Sequence, residues 1–328
     1  MNNISEARAI QLIYFECGYK KLLSNNHTNS LCLVKMFSSL EYQAVVLAGG
    51  RGTRMSEITA SKPKCLLPIG SYPMIWYSLN MLKRIGFKEI IVITLDSAKT
   101  EIINLPKKFD LELTLDVVTI PALSMSGSIS SHGEEFGTAD AIRLIHDKLK
   151  ANRIMVVSSD LVTDVQLRHL TDLHSVHSSS LTALFSHSVL DHKSVEVPGP
   201  KSKPKKERDF VGIDHANSQL CYFKSEADVD GGVLSLGRKI LHEHPKITMY
   251  NNLLDAHFYI LDKWVCDFIK ADQQISTIKG ELIPKLVKKQ FSVTSNQVGK
   301  ASSNEVDDTP NPPTSITNGE RNKKRKHR

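Results

Sequence analysis

The sequence predicts an α/β domain with a Rossmann-like, mixed but mostly parallel sheet over about residues 39–292. Two observations predict this class. Short apolar strand segments alternate with helical segments that have one apolar face, as in βαβ proteins. A glycine-rich turn also follows the first strand directly, which is where open α/β sheets bind ligands. The length of 328 residues, 41% of them hydrophobic and 23% charged, suits one large globular domain or two small ones.

The first strand, residues 44–48, is a continuous apolar run typical of buried parallel strands. Residues 73–85 are predicted to form a helix, because Pro73 suits a first turn, Gly86 suits the position after the end, and apolar residues three or four positions apart share one face. The other predicted strands are 89–94, 111–119, 153–157, 180–187, the hairpin 210–214 with 220–223, and 256–261. The other predicted helices are 101–105, 138–150, 165–174, 262–270 and 280–290.

Three segments are expected to lie outside the packed core. Residues 1–38 are predicted to be a poorly ordered extension, in which 9–23 have some helical character. Residues 190–208 are predicted to be an inserted polar loop, because prolines and lysines dominate them. Residues 293–328 are predicted to be a disordered basic tail with few apolar residues, and we find no hexapeptide repeat.

The net charge of +7 does not indicate a nucleic-acid-binding face. Residues 321–328 carry six Lys or Arg and no acid, and residues 201–208 carry a net charge of +4, so the rest of the chain is slightly acidic. A solvated tail is favoured over a nuclear-localisation or RNA-tethering signal. The five scattered cysteines predict neither a zinc site nor a disulfide framework and suit a reducing cytosol. No apolar run is long enough to predict a membrane helix.

The turn after the first strand is the leading candidate for a phosphate-binding site. Its glycines permit positive φ angles and close approach of a ligand, and successive amides can cradle phosphate oxygens. Arg54 adds a bidentate donor and Lys64 a second positive charge, so both are candidate catalytic residues if the chain is an active enzyme. The predicted nucleotide-binding residues are Leu47, Ala48, Gly49, Gly50, Gly52, Thr53, Arg54, Lys64, Gly137 and Thr138.

Two familiar phosphate motifs do not fit this turn. The dinucleotide fingerprint would need glycine at position 55, where the chain has Met55. The P-loop would need Gly-Lys-Ser or Gly-Lys-Thr at its end, which the turn lacks. A tight turn with incidental glycines remains the alternative interpretation.

Two further features follow later in the chain. Gly137 allows a base or sugar to approach the backbone, and Thr138 can cap the next helix, although an ordinary capped helix start explains both equally well. Asp160 follows a buried strand, where a carboxylate can hold Mg²⁺ bound to nucleotide phosphates. The alternative role of Asp160 is to cap the following helix.

Together these features resemble the sugar-nucleotide pyrophosphorylase superfamily. The superfamily signature L-A-G-G-x-G-T-R reads here as residues 47–54, and its P-K-P-L-L-P-like run reads as residues 63–68, with Cys65 in place of the usual proline. The Gly-Thr-Ala helix start at Gly137 and the strand-end Asp160 follow in the same order. The resemblance implies the nucleotide-diphospho-sugar transferase fold.

Within this superfamily the chain is similar to the gamma subunits of translation initiation factor 2B. The segments that carry this likeness are 42–46, 73–80, 159–165, 208–214, 255–259 and 275–284. The chain is expected to lack the C-terminal left-handed β-helix of that family. Ser159 stands where active pyrophosphorylases usually have glycine, and no convincing second carboxylate follows, which argues against a two-carboxylate metal clamp.

The resemblance implies a non-catalytic or regulatory gamma-type subunit of the complex that exchanges GDP for GTP on initiation factor two. The implied partners are the other subunits of initiation factor 2B, especially the epsilon subunit, and initiation factor two itself. A cytosolic location follows, with no membrane and no direct nucleic-acid contact. The alternative is an active sugar-nucleotide pyrophosphorylase such as a mannose-1-phosphate guanylyltransferase, with Mg²⁺ accompanying a bound nucleotide. RNA binding through the basic runs is a weaker third hypothesis.

Overall fold

The computed structural model describes residues 10–15, 41–121, 136–187, 208–229 and 233–292. The strands are β1 Ile10–Phe15, β2 Tyr42–Ala48, β3 Pro68–Ile69, β4 Tyr72–Pro73, β5 Glu89–Thr94, β6 Thr114–Thr119, β7 Arg153–Ser158, β8 Leu181–His187, β9 Asp209–Asp214, β10 Gln219–Ser225, β11 Ile247–Tyr250 and β12 Leu253–Asp262. The α-helices are α1 Ser56–Thr59, α2 Met74–Ile85, α3 Asp96–Lys108, α4 Thr138–Leu144, α5 Leu167–Val176, α6 Arg238–Glu243, α7 Lys263–Ala271 and α8 Ile283–Gln290.

The central sheet has ten strands in the order β11-β9-β10-β1-β8-β12-β7-β2-β5-β6. Strands β7, β2, β5 and β6 pair in parallel, as do β1 and β8. Strands β10, β11 and β12 run against the other seven. The mixed, mostly parallel α/β sheet predicted from the sequence is therefore confirmed.

The core consists of two apolar clusters, one on each face of the sheet. Helices α2, α3 and α5 cover one face, and helices α4, α7 and α8 cover the other. Strand β2 supplies both clusters, since Val45 points into one while Ala44 and Val46 point into the other. A strand covered on both faces has no polar side to expose, which explains its continuous apolar sequence.

The strongest sequence patterns correspond to observed elements. Helix α2 matches its predicted span within one residue and ends at Gly86, whose φ of 113° is left-handed. Strand β5 matches its prediction fully, and β7 and β8 match within one residue. The hairpin of β9 and β10 is also present, with longer strands than predicted.

Other elements differ from the prediction. Strand β1 lies in the segment for which we expected a poorly ordered extension, and it pairs with β8 and β10. Helix α3 has 13 residues, not five. It begins five residues earlier than predicted, at Asp96, and it continues past Pro106, which stands in the last turn and interrupts little of the hydrogen bonding. The helix predicted for 138–150 ends at Leu144 and continues as a 3₁₀ turn, His146–Lys148. Helix α6 and strand β11 were not predicted.

Several predicted segments lie outside the described residues. These are residues 1–9 and 16–38 of the predicted extension, almost all of the polar loop 190–208, and the tail 293–328. Contacts within the chain define a compact unit that ends at Ser292. Within the described parts of the chain, no helix has both the length and the apolar character needed to cross a bilayer.

Candidate functional site

The candidate site lies where the parallel strands β2 and β7 end side by side. In the register of these strands, Leu47 is opposite Ser158. The Ser159 amide then donates a hydrogen bond of 2.9 Å to the Leu47 carbonyl. This bond joins the start of the glycine turn to the segment that carries Asp160. The carboxyl edge of parallel strands is where α/β sheets usually present ligand-binding groups.

At two positions of the glycine turn, a larger side chain would require a neighbouring side chain to move. Gly52 has a φ of 69°, and a Cβ there would lie 2.7 Å from Thr59 Cγ2. A Cβ at Gly49 would lie 2.3 Å from Ile120 Cδ1. At Gly50, by contrast, a Cβ would meet no atom within 4 Å. The glycines therefore serve both backbone conformation and close packing, while Gly50 leaves open space beside the backbone.

The other predicted residues of the turn differ in their surroundings. Ala48 is buried in the core and Leu47 is half-buried, whereas Thr53 is exposed. Thr53 begins a 3₁₀ turn that leads into α1. The side chain of Arg54 lies outside the described part of the structure. Its role as a hydrogen-bond donor to a phosphate group therefore stays a prediction.

Lys64 and Asp160 form a direct ion pair although 96 positions separate them in the sequence. Lys64 Nζ lies 2.5 Å from Asp160 Oδ2, and Ser158 Oγ donates a hydrogen bond to Asp160 Oδ1. The stem of Lys64 packs beside Gly52, since a Cβ on that glycine would lie 3.4 Å from Lys64 Cβ. The lysine thus connects the glycine turn to the strand-end carboxylate.

Two opposing effects act on the Asp160 carboxyl group. Partial burial raises its pKa, but the hydrogen bonds from Lys64 and Ser158 and the charge of Lys64 lower it more, so the net pKa is below the usual value. The charge of His257 acts in the same direction. Asp160 is therefore ionised at neutral pH.

His257 belongs to a bulge in β12, next to the end of β7. Between Asp255 and Tyr259, four positions of β12 span only two positions of β8. His257 itself has a left-handed φ of 51°, which is unusual for a residue with a side chain. Its amide donates to Asp255 Oδ1 at 2.8 Å, and the Tyr259 hydroxyl donates to Asp255 Oδ2. In this bulge the imidazole of His257 is half-exposed, whereas the carboxylate of Asp255 is buried.

Gly137 and Thr138 contact a different segment of the chain. A Cβ on Gly137 would lie 2.2 Å from the Ser276 carbonyl oxygen. The amide of Ala139 donates to that carbonyl at 2.8 Å, and Thr138 Oγ1 accepts from the Ile278 amide at 2.9 Å. Close packing of this segment explains the glycine without a ligand. Binding of a base or sugar here stays a prediction.

Among the described residues, the donor set offers few protein ligands to a Mg²⁺ ion. No group of three or more His, Cys, Asp or Glu residues suitable for a metal ion occurs among the described residues. Asp160 offers one carboxylate, and both of its oxygens accept hydrogen bonds from neighbouring side chains. Mg²⁺ sites commonly use one or two carboxylates together with substrate phosphates. Asp160 alone could therefore contribute a single ligand at most.

The sequence identified Asp160 and Lys64 individually but not their pairing. It also gave no role to Ser158, Asp255, His257 or Tyr259. Ser158 had a usable signal, since it stands two residues before Asp160 at the strand end. The bulge in β12 had no signal in the sequence, because its register shift depends on pairing with β8.

A family model described as Nucleotidyl transferase matches residues 43–194. The gamma subunit of translation initiation factor eIF2B from Schizosaccharomyces pombe is 33% identical over 255 residues, which cover 77% of this chain and 52% of that protein. The corresponding subunit from Caenorhabditis elegans is 29% identical over 256 residues, covering 78% and 60%. This chain therefore spans little more than half the length of these relatives.

Enzymes of sugar-nucleotide synthesis also match. Mannose-1-phosphate guanylyltransferase 1 of Arabidopsis thaliana is 27% identical over 251 residues, which cover 76% of this chain and 57% of the enzyme. In the solved structures, a Bacillus anthracis protein assigned as a glucose-1-phosphate thymidylyltransferase superposes with a TM-score of 0.50. It is 19% identical, and the match covers 76% of this chain and 82% of that one, so it supports the fold alone.

Proposed function

We propose that this chain, which matches the Nucleotidyl transferase family model over residues 43–194 and is similar to gamma subunits of initiation factor eIF2B, is a non-catalytic or regulatory gamma-type subunit of that factor. The observation that carries the proposal is the length of the likeness. It extends over 77% and 78% of the chain in two distant organisms, well beyond the glycine turn. In this role the chain acts by assembly with other subunits, of which epsilon is the expected direct partner.

The site chemistry supports a role that does not depend on turnover. Metal-assisted phosphoryl chemistry relies on a cation held at the phosphates by protein carboxylates. Here the strand-end carboxylate is paired with Lys64, and Asp255 is buried with both oxygens bonded. We expect the chain to work in the cytosol, on initiation factor two, without contacting membrane or nucleic acid.

The exchange role is tested with initiation factor two preloaded with fluorescent GDP. The full chain alone should release no GDP, because in this proposal the epsilon subunit catalyses the exchange. Added to the epsilon subunit, the chain should speed release beyond the rate of epsilon alone. GDP release by the chain alone, or no effect on epsilon, would count against the proposal.

An active sugar-nucleotide pyrophosphorylase is the second candidate. The similarity to mannose-1-phosphate guanylyltransferase and the presence of Lys64 beside the glycine turn favour it. In that reaction the oxygen of a sugar phosphate attacks the α-phosphorus of GTP, and pyrophosphate leaves. Pyrophosphate release from GTP and mannose 1-phosphate by the full chain, abolished in Lys64→Met, would establish this function instead.

A further inference from the structure

The carboxylate of Asp160 already has two hydrogen-bond partners, and one of them is a cation. Lys64 Nζ donates a hydrogen bond to one oxygen at 2.5 Å, and Ser158 Oγ donates a hydrogen bond to the other. The ion pair is half-buried, with 28% of the lysine side chain and 35% of the aspartate side chain exposed. A divalent cation at this carboxylate would lie beside the Lys64 ammonium and would be repelled by its positive charge.

The other acid near this edge is not available as a second ligand. The Asp255 side chain is only 1% exposed. Its two oxygens accept hydrogen bonds from the His257 amide and the Tyr259 hydroxyl. His257 influences the pKa of both Asp255 and Asp160, which places the two acids in one electrostatic neighbourhood. A cation at Asp160 would therefore gain little from Asp255.

Lys64 is well placed to serve as the positive charge of the site. Its stem lies against Gly52, the turn residue with a φ of 69°. A lysine ammonium has three donors, and Asp160 uses one of them. The remaining donors can contact an anion that sits over the glycine turn. Backbone amides after a buried strand supply the other contacts that a phosphate group needs.

We propose that Lys64 takes the place of a divalent cation beside Asp160, so that this edge of the sheet binds a phosphate-bearing anion without a metal. The anion shares the ammonium with the carboxylate and does not displace it. Because Lys64 and Asp160 together carry no net charge, Asp160 holds the affinity of the site down. This inference concerns the site itself and does not depend on assembly with other subunits.

Isothermal titration of the full chain with GTP as the probe tests the proposal. In the wild-type chain, the dissociation constants measured with excess Mg²⁺ and with EDTA should agree within about twofold. Asp160→Asn removes a negative charge close to the anion, and it should tighten binding about tenfold without Mg²⁺. Lys64→Met should weaken binding about tenfold under the same conditions.

A second ion pair in the chain provides a matched control. Lys148 Nζ contacts Asp116 Oδ1 and Oδ2 at 2.8 and 2.6 Å, on a different part of the surface. Asp116→Asn also removes an exposed carboxylate that pairs with a lysine, and it should leave GTP binding unchanged. Circular dichroism of each variant establishes that the fold is intact.

Three results would overturn the proposal. The first is wild-type binding that requires Mg²⁺, which decides the question even if a variant fails to fold. The second is weaker binding by Asp160→Asn, as expected for a metal ligand. The third is no measurable binding by either the wild-type chain or Asp160→Asn. If Asp160→Asn binds GTP without Mg²⁺ and the wild-type chain shows no binding, the proposal is supported. The negative charge of Asp160 would then be strong enough to prevent measurable binding by the wild-type chain.

Discussion

At the carboxyl edge of the sheet, the pKa values of Asp160 and Asp255 shift in opposite directions. Lys64 and Ser158 overcome the effect of burial at Asp160, and its pKa falls. Burial dominates at Asp255, and its pKa rises despite the neighbouring His257 and Tyr259. The difference follows from one cation, because Asp160 has an ammonium in direct contact and Asp255 has none so close.

The raised pKa of Asp255 predicts a pH-dependent cost to stability. Between the unfolded pKa of about 3.9 and the higher folded pKa, the native state binds more protons, so stability falls as pH rises through this window. Asp255→Asn removes the buried ionisable group and should raise the free energy of unfolding at neutral pH. Urea unfolding should show this gain shrinking as the pH approaches 4. A loss of stability at neutral pH would contradict the prediction.

The glycine turn offers a second test at a single residue. Gly52→Ala places a side chain at a φ of 69° and against Thr59, so it should reduce the free energy of unfolding by roughly 1–2 kcal/mol. Gly50→Ala enters open space and should change it by less than about 0.5 kcal/mol. Chemical denaturation of both variants measures the difference. Equal effects would mean that the turn does not require the left-handed conformation.

Among the elements, the sequence predicted those that bury a regular apolar pattern. Helix α2 and strands β2, β5 and β7 were predictable because burial on one or both sheet faces dictates their side chains. Helix α6 has no buried residue, and β11 is a half-exposed edge strand, so neither carries such a pattern. Strand β1 was ambiguous, since a short apolar run is compatible with either a helix or a strand.

One arginine of α4 makes three of the contacts that join this helix to the end of α7 and the residues that follow it. Arg143 donates to the carbonyls of Ile269 at 3.2 Å, Asp272 at 3.0 Å and Ile275 at 2.7 Å. Arg143→Ala leaves these acceptors without their donor and should cost about 3 kcal/mol of unfolding free energy.

Arg168→Ala is the matched control for that variant. The guanidinium of Arg168 lies 3.6 Å from the carboxylate of Asp172, four positions along α5. Nearly half of each side chain is exposed. Its removal should cost less than about 0.5 kcal/mol. Thermal or urea unfolding compares the two variants, and similar losses would show that the carbonyl contacts of Arg143 contribute little.

For the molecule as a whole, the fold was more accessible from the sequence than the site. The glycine turn and Asp160 stand at neighbouring strand ends, as the sequence predicted, and ligand binding there stays a prediction. The pairing of Lys64 with Asp160 was not predictable, since it joins residues 96 positions apart. The same holds for Gly137, which proved to face the backbone of Ser276. Such contacts depend on tertiary packing and leave no local pattern.

We propose above that this chain acts as an assembly subunit of initiation factor 2B. Native mass spectrometry of the full chain mixed with the epsilon subunit of initiation factor 2B tests it most directly. We predict a stable species whose mass equals the sum of one copy of each chain. Two separate species, with no joint species at equal micromolar concentrations of the two chains, would contradict the proposal.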